Sequence, residues 1–121
     1  AQAYERLTLL IDRMQPPNLL ARVQTPKMNT QSLHRVLIQS IRSEYNHNMS
    51  QQVYISDETW DLINQGKDQL ISLINAQITA TDPKADGIEL GKRIIEASLS
   101  EHKWLLDDAL THLKKEFREN Y

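Results

Sequence analysis

The sequence predicts an all-α domain of five or six helices packed as an irregular bundle, on three observations. Glycine is scarce, with 3 in 121 residues: Gly66, Gly87 and Gly91. Alternating apolar–polar runs are nearly absent. The longest β-favouring piece, Val53-Tyr54-Ile55, is too short to build a sheet. Apolar residues recur instead at spacings of three and four along most of the chain, the signature of helices with one buried face.

A first helix is expected over about residues 2–15, with Tyr4, Leu7, Leu10, Ile11 and Met14 on one face. Pro16-Pro17 stops it, because proline lacks the N–H and restricts the residue before it. A short helix over about 18–24 follows and ends at Pro26. Asn29 or Thr30 then caps a long helix to about Met49, with Leu33, Val36, Leu37, Ile41 and Tyr45 facing the core. Ser56 is a strong N-cap, followed by Asp57 and Glu58 where the helix dipole favours carboxylates. That helix carries Trp60, Ile63, Leu70, Ile71, Ile74 and Ile78. Gly66 inside it costs about 1 kcal/mol against alanine, so a close helix approach is expected there. Thr81-Asp82-Pro83 reads as a further start, with proline at the first helical position and Ile88, Gly91, Ile95 and Leu99 on one line. After Ser98 or Ser100 a last helix runs to about Asn120, with Leu106, Leu110, Leu113 and Phe117 inward.

The length suits one domain, residues 1–121, and a hydrophobic fraction of 40% with 25% charged residues is ordinary for a soluble fold. Cysteine is absent, which excludes disulfides, zinc–thiolate sites and cysteine nucleophiles. A net charge of −2 argues against a broad nucleic-acid surface. Residues 1–60 carry +1 and residues 61–121 carry −3, and neither half ends in a charged tail. No apolar run approaches the roughly 20 residues that span a bilayer. The opening AQAYERL is no signal peptide and has no initiator methionine, so a piece of a longer protein is expected.

The stretch EYNHNMSQQVYIS, residues 44–56, concentrates what looks like chemistry. Glu44 and His47 lie three apart on one helix face, the spacing at which both can ligate one metal. Di-iron bundles need two such pairs plus two further glutamates, and a second pair is missing here. A helix-end histidine near the dipole's negative end is the plainer account, and no cofactor is expected. The positive reading is a short extended connector around residues 50–56, at the turn between the two longest helices. Tyr45, Val53, Tyr54 and Ile55 are its anchors and Ser56 its cap, with Trp60 packing on the loop. Gln51 and Gln52, with Asn46 and Asn48 and the two tyrosine hydroxyls, close open backbone carbonyls.

No G-x-S-x-G elbow presents a serine, and GIELG at 87–91 is no phosphate loop. Trp104 falls in the irregular SLSEHKWLL region and, where exposed, marks a partner surface. Lys114-Lys115-Glu116-Phe117-Arg118 reads as a solvated helix face.

The blocks AYERLTLLIDRMQPPNLLARVQ and QSLHRVLIQSIRSEYNHNMSQQVYISDETWDLI, with the -KKEFRE- close, cover most of the chain. They resemble a small uncharacterised family of Bacteroidota proteins, QQVYIS-D-x-x-W being the most specific part. The resemblance implies a single membrane-spanning helix and a basic linker ahead of this region, hence an inner-membrane protein whose soluble part is cytoplasmic. It brings no established catalytic residues, so none are carried over. The expected function is a non-enzymatic protein-interaction module with protein partners, a homodimer among them, and with membrane contact only through the absent anchor. A metal-dependent enzyme or sensor at Glu44 and His47 is the alternative. A nucleic-acid-associated domain using Arg35 and Arg42 is the third.

Overall fold

A computed structural model describes residues 2–120 of the chain. Six α-helices follow one another: α1 (Gln2–Met14), α2 (Pro16–Val23), α3 (Thr30–Asn48), α4 (Asp57–Ala80), α5 (Gly87–Ser100) and α6 (Leu105–Asn120). A 3-10 helix at Met49–Tyr54 joins α3 to α4, and the described residues form an all-α bundle. The longest helix, α4, is the spine and packs against α3, α5 and α6, while α1 closes the other side against α2, α3 and α6.

Most of the expected inward positions of α1, α3 and α6 are buried: Leu7, Leu10 and Ile11 from α1, Leu33, Leu37 and Ile41 from α3, Leu106 and Leu113 from α6; Phe117, expected inward on α6, is 38% exposed. From α4, Ile63, Leu70 and Ile74 complete a single apolar cluster. Each such side chain contributes about 1.5–3 kcal/mol by leaving water. Pro16 and Pro17 both stop α1 and start α2, where a missing N–H costs nothing in the first turn. The Asn29 side chain accepts from the Ser32 N–H and the Ser56 side chain from the Thr59 N–H, so both expected caps are formed.

Gly66 lies where α6 crosses α4. A Cβ there would fall 2.8 Å from Leu106 Cδ2 and 3.1 Å from the Leu106 backbone nitrogen, so this is a true close approach.

Three expectations need correction. Residues 50–56 are not an extended connector but mostly a 3-10 helix. Thr81-Asp82-Pro83 does not start α5. The Ala85 N–H donates to the Asp82 carbonyl and the Lys84 N–H to Asp82 Oδ1, so Pro83 occupies a turn instead. The flanking residue of α5 is Asp86, which forms a lone antiparallel bridge with Asn29.

The third correction is the orientation of α5. Its buried positions are Gly87, Leu90, Gly91 and Ile94, while Ile88 is 41% and Leu99 81% exposed. The glycines explain the rotation. The Gly87 N–H donates to the Met28 carbonyl, and a Cβ on Gly87 would lie 2.8 Å from that oxygen. A Cβ on Gly91 would collide with the side-chain carbonyl of Gln24. Backbone approaches backbone at Gly87 and the Gln24 side chain fills the space beside Gly91, and the line of Ile88, Ile95 and Leu99 is turned about a third of the circumference away from the buried face.

Candidate interaction surface

The end of α3 is closed by side chains, as the amides lead one to expect, but not only by local ones. Asn48 Nδ2 donates to the Glu44 carbonyl at 2.8 Å and Gln52 Nε2 to the Met49 carbonyl at 3.1 Å. Arg6 of α1 adds two more: Nη2 donates to the His47 carbonyl at 3.0 Å and Nε to Asn48 Oδ1 at 3.2 Å. Gln51 reaches only the neighbouring Ser50 hydroxyl.

Glu44 is engaged elsewhere. Arg13 Nε donates to both of its carboxylate oxygens, at 2.7 and 2.9 Å, and Arg22 Nη1 lies 3.0 Å from Oε1. The bond to Glu44 raises the Arg13 pKa, burial opposing it. A metal at Glu44 and His47 would have to displace two guanidiniums, and His47 itself is exposed. No group of three or more histidine, aspartate or glutamate side chains among the described residues is placed to hold a metal.

The anchors of the connector divide. Ile55 and Tyr45 are both buried. Tyr45 stacks on Trp60 with ring centroids 5.1 Å apart, and Lys67 Nζ lies 4.1 Å from the Tyr45 ring centroid. Trp60 thus packs on α3 and not merely on the loop. Burial, with Asp68 and Asp61 nearby, pushes the Tyr45 phenol up. Val53 and Tyr54 are not anchors at all. They are 76% and 65% exposed, and Met49 on the same 3-10 helix is 40% exposed. The tight turn sends Ile55 inward and these three outward, where an extended strand would have paired Val53 with Ile55 on one side.

Glu116, expected on a solvated face, is the hub of this corner. It accepts from Ser56 Oγ at 2.5 Å, from the Ser56 N–H at 3.1 Å, from Thr59 Oγ1 at 2.8 Å and from the Tyr4 hydroxyl at 2.8 Å. In a capping box the residue three after the cap is a glutamate that reaches back to the cap's own N–H. Here that position is Thr59, and α6 supplies the carboxylate from 60 residues away. Burial works to raise the Glu116 pKa, but the bonds from Ser56, Thr59 and Tyr4 prevail and hold it below the usual carboxylate range. The sequence signal that points here is a Ser56 cap with threonine where the box wants glutamate.

Trp104 is half-buried and tied inward: its Nε1 donates to Gln15 Oε1 at 2.8 Å, while Gln15 Nε2 donates to Asp107 at 2.9 Å. Gln69 spans the same junction, donating to the Lys103 carbonyl and accepting from the Leu105 N–H. Neither glutamine stands out in the sequence.

Between the 3-10 helix, the start of α4 and the end of α6 runs an open groove of about 840 Å³. Val53, Tyr54 and Tyr4 form its apolar wall, and Glu58, His112, Lys115, Glu116 and Glu119 its polar one. Three exposed apolar side chains, Met49, Val53 and Tyr54, stand beside this partly charged groove. Fold and site together define a small all-α bundle with a rigidly clasped corner and an apolar rim.

The chain belongs to a family of unknown function (DUF7935), whose model matches residues 1–120. No curated protein and no solved structure matches it. No helix among the described residues is long and apolar enough to cross a membrane.

Proposed function

We propose that this domain is a non-catalytic protein-interaction module whose contact surface is the rim of Met49, Val53 and Tyr54 and the groove beside it. The observation that carries this is the exposure of Val53 and Tyr54 on a turn pinned from both sides. Ile55 is buried behind it, and the Ser56–Glu116 clasp fixes its exit. A rigid aromatic and aliphatic pair loses little freedom on binding, which is how few residues come to carry most of an interface's affinity. The polar groups nearby are occupied in ways that suit structure better than catalysis. Glu116 is ionised and engaged by three residues, a poor general base at neutral pH. Ser56 Oγ donates to that carboxylate and accepts from the Thr59 N–H, so it is not poised as a nucleophile.

The partners are proteins, a second copy of the chain among them. The resemblance to Bacteroidota proteins with an N-terminal membrane helix supports a tether to the bacterial inner membrane, with this domain on the cytoplasmic side. The test is co-purification from membranes with the full-length protein, comparing wild type with Val53→Asp and Tyr54→Ala. A stoichiometric partner protein is expected with the wild type and is lost in both variants, while their melting temperatures stay unchanged. An identical partner set in all three overturns this surface. Release of the full-length wild type from membranes by carbonate overturns the tether.

A further inference from the structure

The α5 line that the fold turns outward is largely apolar. Ile88, Lys92, Ile95 and Leu99 follow one another at spacings of four, three and four, within a stripe about 60° wide. Ile88 and Leu99 are exposed large hydrophobics, Lys92 is exposed and Ile95 half-buried at the edge of the core. The inward face of α5, around Leu90 and Ile94, is fully used by the bundle. The helix therefore carries two apolar faces and buries one.

We infer that the outer face of α5 is a self-association seam, on which a second copy of this chain docks with its own α5 antiparallel. The first argument is internal symmetry. Spacings of four, three and four are those of alternating d and a positions in a coiled-coil seam. About a two-fold axis between residues 93 and 94, Ile88 of one copy meets Leu99 of the other, and Lys92 meets Ile95. The same two pairs recur on the far side of the axis, giving four layers and leaving no seam position unmatched. An isologous interface requires such self-complementarity.

The second argument is charge. The Lys92 stem lies over Ile95 of the other copy and carries its ammonium on towards Glu96, the next residue there. Glu89 pairs with Arg93 within its own helix at 3.4 Å, so the edge of the seam totals zero charge across Glu89, Lys92, Arg93 and Glu96. Glu89 of each copy approaches Glu96 of the other, and Lys92 lies between the two carboxylates. A lone lysine at an a position costs affinity, and only the register centred between residues 93 and 94 matches all four seam positions. A seam three turns long falls below the ~1,200 Å² of standard interfaces, in the weak and concentration-dependent class.

The inference rests on the reading above only in counting a second copy among the partners, and it uses a different surface. Because the protein has no cysteine, register can be read directly by cross-linking. Ile88→Cys/Leu99→Cys, oxidised under mild conditions at high concentration, is expected to give a disulfide-linked dimer. Leu99→Cys alone is expected to give little, its two sulfurs lying at opposite ends of the seam. In sedimentation equilibrium the wild type should move from 14.0 kDa towards twice that mass as concentration rises. Leu99→Glu and Lys92→Glu should stay monomeric, Lys92→Glu/Glu96→Lys should recover the dimer, and Lys92→Ile should tighten it by about tenfold or more. A wild type that stays monomeric at millimolar concentration overturns the seam. So does a Leu99→Cys variant that cross-links as well as the double variant. A dimer abolished by Val53→Asp but kept by Leu99→Glu overturns the seam while leaving the groove reading intact.

Discussion

Glu44 and Glu116 both tie together helices distant in sequence, and they do so by opposite means. Glu44 joins α3 to α1 and α2 through the guanidiniums of Arg13 and Arg22. Glu116 joins α6 to α4 and α1 through hydroxyls and one backbone N–H, with no cation in contact among the described residues. Charge against charge in a half-exposed setting is worth little, because water and salt screen it and long side chains lose freedom. A carboxylate held by short, neutral donors escapes most of that screening, and hydrogen bonds to a charged group are worth about 1.5–3 kcal/mol. The corner beside the groove is therefore the better fastened of the two.

The largest effect expected from breaking this comparison is Glu116→Ala, which should cost about 2–3 kcal/mol in urea unfolding. It leaves the buried Thr59 without its outer acceptor and frees the end of α6 from the start of α4. Equal costs for Glu116→Ala and Glu44→Ala would remove the distinction. Next comes Gly66→Ala, at the other contact between α4 and α6. An alanine inside a helix ordinarily gains about 1 kcal/mol over glycine, but here the Cβ meets Leu106, including its backbone nitrogen. The sign should reverse, to a loss of about 1–2 kcal/mol, seen as a lower midpoint of thermal unfolding.

Acid sharpens the same contrast. The folded-state pKa of Glu116 is lowered from 4.5, so its contribution is fully present above the unfolded value and is lost as pH falls through the folded one. The stability gap between wild type and Glu116→Gln should be constant from pH 7 to about 5.5 and shrink steadily below about pH 4.5. A gap that widens on acidification would contradict the clasp. The smallest effect is Glu44→Gln, about 1 kcal/mol or less at low salt and fading towards zero in 1 M salt. The cost of Glu116→Ala should hardly move over the same salt range.

Most helices were legible because their evidence is local. The caps at Asn29 and Ser56, the proline pair at 16–17 and the spacing of Leu33, Leu37 and Ile41 act within one or two turns. The identity of the candidate surface was less legible. Met49, Val53 and Tyr54 lie in the stretch 44–56, but its pattern predicts Val53 and Tyr54 as buried anchors, and Glu116, far along the chain in α6, reads as part of a solvated face. Whether the link between α3 and α4 runs as a strand or as a 3-10 turn is set by where the two helices end in space, which six residues cannot specify.

By itself the sequence determined the all-α class, the order of the helices and most of the inward faces of α1, α3 and α6. Those properties follow from periodicity, capping and turn chemistry, which act over a few residues. Only the tertiary structure decided which side of α5 is buried, which glutamate becomes a clasp and which of the connector's apolar residues meet water. Each of these depends on close approach between segments far apart in sequence: Gly87 on Met28, Gly91 on Gln24, Glu116 on Ser56. Steric fit between segments far apart in sequence leaves no periodic trace along the chain, and where α5 had two apolar faces to offer, fit at two glycines chose between them.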